Sequence, residues 1–381
     1  MSRPLTPNPW DKAGIAVVLF VSLMIVIKLL LPGGLTQFGG FGEVYASRYI
    51  DAVHSVGAYI KPDSGGYDGQ FYAQIATDPT LSNHDFESAI DAPAYRSRRI
   101  LLPLIAHILA FRNPEASLLV YCSLNIFCWF AFAWLIWTWL PVNDARTFVR
   151  WVVCVLSMGV IDSVKYALTD LPSILLMLLL IRYASTHRFG VAGGFLASLF
   201  LKETNLLSIV SLPKWSNKPG RLLRNSVFWG IAAGISLGVF LMWYRYVNWR
   251  FDVFLGASGN FDLPFASMTR NLLKAAQELT VGNFDDRYIF RIIGALGFLI
   301  QLIWFHTQWK RLENPLVRLG LIYGALFIFL GDNVWWGYWA VCRVVLPMTI
   351  AFNLLYAPKR WFWTGLVLAN LTAIHAVYRF I

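Results

Sequence analysis

A carboxylate set among aromatic rings and glycines marks the stretch Pro62-Asp63-Ser64-Gly65-Gly66-Tyr67-Asp68-Gly69-Gln70-Phe71-Tyr72-Ala73-Gln74-Ile75-Ala76-Thr77-Asp78-Pro79. Such a group at the edge of a membrane is suited to take a proton beside a sugar or a lipid-borne substrate. Gly65, Gly66 and Gly69 let the backbone turn sharply or come close to a ligand. Gln70 to Thr77 reads as a short helix closed by Asp78-Pro79. Asp68 and Tyr72 then lie about one turn apart on the same face. The competing reading is that Asp63, Ser64 or Asp68 only caps that helix with its side-chain oxygen.

Cationic groups suited to face such a base follow in the chain. Asp91 to Leu104 reads Asp-Ala-Pro-Ala-Tyr-Arg-Ser-Arg-Arg-Ile-Leu-Leu-Pro-Leu, so Arg96, Arg98 and Arg99 stand where apolar sequence resumes. Guanidinium groups hold a phosphate by forked hydrogen bonds; generic headgroup anchoring is the alternative. Asp162, Lys165 and Asp170 lie between Val149 to Ile161 and Leu171 to Tyr183, apolar runs of about 13 residues each, roughly 20 Å of helix against a hydrocarbon core of about 30 Å. The connector is therefore expected below the membrane surface, where polar backbone is tolerated only inside protein or a water-filled cavity. Ionisable groups at that depth are expensive and usually functional, although a plain pair of Lys165 with Asp162 or Asp170 is the structural alternative.

Lys202-Glu203-Thr204-Asn205 falls in the middle of the apolar stretch Phe189 to Pro213. Simple spanning strands both charges unless they pair, whereas a re-entrant hairpin puts them at its tip. Asp332-Asn333-Val334-Trp335-Trp336-Gly337-Tyr338-Trp339 offers aromatic surface with one acid, or merely a belt of interfacial tryptophans. Arg343 stands just inside the next apolar run, where it can face a lipid phosphate.

The elements that carry these residues follow from composition. The chain of 381 residues is 57% hydrophobic and 14% charged, with 17 Trp, 16 Tyr and 28 Phe, too little polar surface for a soluble globule. The expectation is an all-α, polytopic membrane helical bundle, a single integral membrane domain over 1–381. The net charge of +11 is unevenly placed. Glu43, Asp51, Asp63, Asp68, Asp78, Asp85, Glu87 and Asp91 outnumber Arg48 and Lys61 before Tyr95, while Lys214, Lys218, Arg221 and Arg224 form a segment without acids. The positive-inside rule puts the second segment in the cytoplasm and the first on the far side. The basic excess thus reports topology and does not suggest a nucleic-acid partner. Cys122, Cys128, Cys154 and Cys342 lie in or beside apolar runs without metal-type spacing.

Gly14 to Leu31 is the first expected span, stopped by Pro32-Gly33-Gly34 and retained in the mature chain, since Lys28 interrupts it and no small-residue cleavage site is evident. The first far-side loop, 33–99, is expected to hold an amphipathic helix over Val44 to Ile60 and then the motif helix. Leu118 to Leu140, Ser226 to Val247, Tyr288 to Phe305, Leu316 to Leu330, Val344 to Tyr356 and Trp361 to Val377 are further expected spans, and 248–288 is a second far-side loop with a helix around Met268 to Leu279. With the short or re-entrant helices, roughly nine to eleven crossings result. If Ile100 to Phe111 crosses, Asp162 to Asp170 falls inside; if it lies in the interface and Phe189 to Pro213 is a hairpin, Asp162, Lys165 and Asp170 share the far side with Asp68. The second arrangement obeys the charge rule at more positions.

No Walker loop, dinucleotide-type glycine loop, HExxH or paired-cysteine metal pattern is present, which leaves an enzyme whose substrate arrives activated, or a passive transporter. One membrane helix, a long acid-bearing far-side loop and many short or broken spans resemble the GT-C superfamily of polyprenyl-phosphate-dependent glycosyltransferases. More narrowly, Tyr67-Asp68-Gly69-Gln70-Phe71-Tyr72, Tyr95-Arg96-Ser97-Arg98-Arg99-Ile100-Leu101-Leu102-Pro103 and Lys202-Glu203-Thr204-Asn205-Leu206-Leu207 look like motifs of bacterial cell-surface glycopolymer formation proteins. The resemblance implies an inner-membrane enzyme that moves a sugar from a polyprenyl-phosphate donor to a cell-envelope glycan, glycolipid or protein acceptor, with inversion. It implies Asp68 as base with Asp63 the nearer competitor, and Tyr67, Gln70 and Tyr72 as motif residues beside substrate. Arg96, Arg98, Arg99 and Arg343 become candidates for the donor phosphate, and Asp162, Lys165, Asp170, Lys202 and Glu203 for the cavity wall. Asp68 is followed by Gly69 and not by a second acid, so use of a divalent cation stays open. A flippase for a lipid-linked sugar and a non-catalytic assembly scaffold are the competing functions.

Overall fold

The structure is a computed structural model that describes residues 9–213, 219–252, 259–358 and 360–380. Lys214 and Lys218, which carry part of the sidedness argument, lie outside the described residues. Among the described residues every regular element is helical, and extended backbone pairs only at the isolated bridges Gly42 with Lys61 and Phe261 with Leu330.

Helix α1 (Pro9–Leu30) ends where Pro32-Gly33-Gly34 turns the chain. Gly33 has φ +88°, and a Cβ added there would meet Tyr59 Cβ at 2.4 Å, so glycine is required both by conformation and by space. The loop that follows does not form the helix expected over Val44 to Ile60; it makes a 3-10 segment, Glu43–Arg48, and one turn, Asp51–Ser55. Tertiary hydrogen bonds compete with the helix. The Val44 N–H donates to the Ser64 carbonyl at 3.1 Å, and the Ile50 N–H is taken by Gln74 Oε1 at 3.3 Å. The motif helix, α2 (Gly69–Ile75), is almost wholly buried. Asp68 is its N-cap residue yet makes no capping hydrogen bond, so its carboxylate is directed elsewhere. A Cβ on Gly69 would lie 1.9 Å from the Tyr166 carbonyl oxygen and 2.9 Å from that of Gly39. Gly69→Ala should therefore push α2 off its seat and cost about 1–3 kcal/mol of stability, read as a lower unfolding temperature in detergent; an unchanged temperature would show that this close approach is not needed.

Helices α3 (Leu101–Leu109) and α4 (Pro114–Trp139) pack on each other, α4 being capped by Asn113 and opened by Pro114. The run expected over Val149 to Ile161 breaks into α5 (Ala145–Val155) and α6 (Met158–Lys165), bent by 41°. Asp162 to Lys165 are the end of α6 and not connector, and the turn to α7 (Asp170–Tyr183) is short and buried. Its backbone is satisfied from α4: Tyr121 Oη donates to the Ala167 carbonyl and Asn125 Nδ2 to that of Leu168, both at 2.8 Å. This is what polar backbone needs away from water.

Helix α8 (Arg188–Leu199) stops before Lys202, and Glu203–Ser211 returns as 3-10 turns packed against α8. Then come α9 (Pro219–Arg250), α10 (Ala266–Thr280), α11 (Asp286–Thr307) and α12 (Pro315–Ile328). The last apolar runs are also interrupted, as α13 (Tyr338–Val344) with α14 (Leu346–Leu355), bent by 64°, and α15 (Phe362–Asn370) with α16 (Thr372–Phe380). Pro347 near the start of α14 removes an N–H that would join it to α13. Among the described residues, α1, α4, α11 and the Leu222–Arg250 part of α9 are long and apolar enough to cross a membrane, and the two bent pairs raise these four candidates to six. That is compatible with a multi-pass membrane protein. Fewer full-length spans result than the run count suggested, because several runs are cut mid-way.

Candidate functional site

A hollow of about 380 Å³ opens between the start of α2, the turn Pro93–Arg96, the start of α7, the Lys202 bend and α13. Tyr67, Asp68, Tyr95, Arg96, Arg99, Asp170, Lys202 and Arg343 line it, together with Asn260 and residues of the stretch from Asn333 to Val344 that carries Trp336 and Trp339. The Asp68 carboxylate is bridged between two guanidinium groups: Oδ1 lies 3.0 Å from Arg96 Nη2, and Oδ2 lies 3.0 Å from Arg343 Nη2. It remains 25% exposed, towards the hollow, whereas each arginine side chain is 11% exposed.

Each arginine is aimed by further anions. Arg96 forks onto Asp91 with contacts of 3.0 and 2.8 Å. Arg343 donates to Tyr67 Oη at 2.7 Å, and its Nε lies 3.2 Å from Asp170 Oδ2. Asp170 in turn accepts from Lys202 Nζ at 2.5 Å. Arg99 forks onto Glu203 at 3.0 and 2.7 Å, while Tyr72 Oη and Tyr95 Oη accept its other N–H groups. The two charges in the middle of Phe189 to Pro213 are thus both paired, with partners from α7 and from the first loop. Gly159 lets α13 approach α6, since a Cβ there would meet the Cys342 carbonyl at 2.9 Å and Arg343 Cα at 3.4 Å. Arg343 is held over the hollow by that approach.

Burial pushes the Asp68 carboxyl upward, but the charges of Arg96 and Arg343 outweigh it and hold the group well below the usual carboxylate range. The resting site therefore presents an ionised carboxylate whose lone pairs are engaged by two cations.

Other residues singled out in the sequence stand elsewhere. Asp63 is exposed, with φ +51°, and its backbone N–H donates to Glu43; its side chain does not line the hollow. Arg98 also leaves the site, stacking 4.3 Å from the Tyr244 ring of α9. In the 3-10 turn Ser97–Arg99 successive residues point about 120° apart, so Arg98 and Arg99 diverge. Gln70 is a buried strut: its Oε1 accepts from the Gly42 N–H and Tyr49 Oη, and its Nε2 donates to the Gly65 carbonyl. Tyr72 is 1% exposed and Glu203 does not line the hollow, so both act on it through Arg99. Asp162 does not line the hollow either, and Lys165 faces a different cavity.

Asp91 and Asn260 are not among the site candidates read from the sequence, and Tyr95 and Trp339 enter there only as members of longer stretches. Asp91 had one available signal, an acid before Pro93 with Arg96 one helical turn on. Asn260 had none, because its loop reaches the hollow only through tertiary pairing, the Gly331 N–H donating to the Asn260 carbonyl at 2.8 Å.

The donor set argues against a divalent cation at this place. Asp68, Asp91, Asp170 and Glu203 are each turned to an arginine or lysine, and among the described residues no three His, Cys, Asp or Glu side chains converge as metal ligands. Comparison of the chain with protein-family models, with curated proteins and with solved structures finds no match.

Proposed function

We propose that the chain is an inverting, GT-C-type membrane glycosyltransferase that moves a sugar from a polyprenyl-phosphate donor to a cell-envelope glycan, glycolipid or protein acceptor. The reading places it in the bacterial inner membrane, with nine to eleven crossings when the short and broken helices are counted and the hollow at the extracytoplasmic face. The observation that carries it is the Asp68 carboxylate on the wall of a hollow, held at 3.0 Å by both Arg96 and Arg343. Inverting transfer needs a base for the acceptor hydroxyl and cations for the departing phosphate. Here both stand in one cavity.

The pairing of the base with the phosphate-binding groups gives the reaction an order. A donor phosphate entering the hollow competes with Asp68 for Arg96 and Arg343. Once they turn to the phosphate, the carboxylate regains basicity and accepts the proton of the acceptor hydroxyl. The hydroxyl oxygen attacks the anomeric carbon, the bond from that carbon to the phosphate oxygen breaks, and its electron pair leaves with the lipid phosphate. Lys202 and Glu203 keep Asp170 and Arg99 in place throughout.

The sign of the pH dependence follows. In the free protein Asp68 stays ionised far into acid, because its pKa is depressed; in the donor complex the arginines are shared with phosphate and its pKa rises. The acid limb of kcat, which reports the complex, should lie at higher pH than that of kcat/KM, which reports the free protein. Coincident limbs in initial-rate profiles would remove the competition from the mechanism. The overall reading is tested by incubating purified protein with a polyprenyl-phosphate sugar and candidate acceptors, then assigning the anomeric configuration of product by NMR. A new glycosidic bond of inverted configuration is expected. Movement of the lipid-linked sugar across a vesicle membrane without a new bond would make the protein a flippase.

A further inference from the structure

Behind the arginine-lined hollow, across the stacked rings of Tyr67 and Tyr166, a second cavity of about 370 Å³ opens. The two rings lie 4.3 Å apart at 13° and form a shared partition, Tyr67 bordering both spaces. The cations of this cavity are Lys28, Lys61 and Lys165, and no carboxylate is among its described lining residues.

Lys28 is the informative group, because it stands near the end of α1 after the uncharged run Ala13 to Ile27 and is only 7% exposed. It is not neutralised by an ion pair among the described residues. Its Nζ donates to the Lys165 carbonyl at 3.1 Å and lies over the Phe38 ring at 4.9 Å. Lys165 likewise spends its ammonium on a backbone carbonyl, that of Arg379. An ammonium carries three donors, so both lysines retain capacity for an anion. Asp162 acts on both through space, yet its buried oxygens accept no hydrogen bond from the described residues. At the rim, Leu31 and Pro32 continue into the exposed apolar side chains Leu30, Val26 and Leu23 of α1. A charged pocket at the head of a lipid-facing helix fits a phosphate attached to an apolar chain.

We propose that this lysine-lined cavity is a second anion site, separate from the arginine hollow, that takes a phosphate group with Lys28, Lys61 and Lys165 as its point-charge partners. The phosphate belongs either to a lipid whose chain lies along α1 or to a free phosphate species.

Native mass spectrometry of the purified full-length chain tests this, with farnesyl phosphate, farnesol and inorganic pyrophosphate as probes. Lys61 is exposed, so Lys61→Ala should fold normally; it should weaken phosphate binding several-fold, and Lys61→Ala with Lys165→Gln should remove one bound copy. If the arginine hollow also takes farnesyl phosphate, wild type carries two copies and the double lysine variant one; if it does not, wild type carries one and the double variant none. Preference for farnesyl phosphate over pyrophosphate assigns the anion to a lipid, and the reverse assigns it to a soluble phosphate. Unchanged copy number and affinity in both lysine variants, or farnesol binding as well as farnesyl phosphate, would overturn the site.

Discussion

Replacing Asp68 by asparagine should lower turnover by about 10²–10⁴-fold, the usual worth of a positioned general base, while leaving donor affinity equal or improved. The direction of the second effect separates this account from a merely structural role. Asp68 occupies Arg96 and Arg343 in the resting site, each at 3.0 Å. Removing its charge frees both guanidinium groups for the donor phosphate, so a competing internal anion is lost along with the base. Asparagine keeps the shape and one acceptor oxygen, which limits the damage to the fold. The check is kcat together with donor Kd on protein whose unfolding temperature has been measured. Wild-type turnover in a folded Asp68→Asn protein would remove the base assignment, and weaker donor binding would point to a scaffold role for the carboxylate.

Arg343→Gln should be more damaging still, since it lowers donor affinity, turnover and stability together. Its guanidinium joins three groups from distant parts of the chain: Asp68 and Tyr67 of the first loop and Asp170 at the start of α7. Removing one partner of a buried ion pair leaves uncompensated charge and costs about 3–5 kcal/mol. Asp170, 2% exposed at its side chain, retains Lys202 as its one ion-pair partner among the described residues in that variant. The double variant Arg343→Gln with Asp68→Asn should regain part of the lost stability, because it removes a positive and a negative group together, but none of the activity. A thermal-unfolding cycle on the wild type, both single variants and the double variant measures the coupling. Strict additivity would mean that the two residues do not act as a pair.

The sequence made the long helices legible and the site only in outline. α1, α4, α9 and α11 follow from apolar runs with clear stops, such as Pro32-Gly33-Gly34 after α1. Asp68 and Arg343 each stood out by residue type and surroundings, yet 275 positions separate them, and no local pattern pairs residues at that distance. Arg99 and Arg98 are neighbours with opposite fates, decided by a 3-10 turn that no run of arginines announces. Gln70 lay in the right motif but serves as a strut, because a buried amide beside the Gly42 and Gly65 backbone must satisfy those groups before it can meet a ligand. Lys28 was visible as an interruption of the first span; its cavity appeared only when the loop folded over the end of α1. The helix expected over Val44 to Ile60 failed for the same kind of reason, the tertiary claims of Ser64 and Gln74 on its backbone.

The most direct measurement is a cryo-EM structure of the protein with a non-hydrolysable polyprenyl-phosphate sugar analogue. The phosphate is expected within hydrogen-bonding distance of both Arg96 and Arg343, with the Asp68 carboxylate released from at least one of them and turned towards the anomeric carbon. A phosphate bound away from the hollow, with both Asp68 ion pairs intact, would contradict the account.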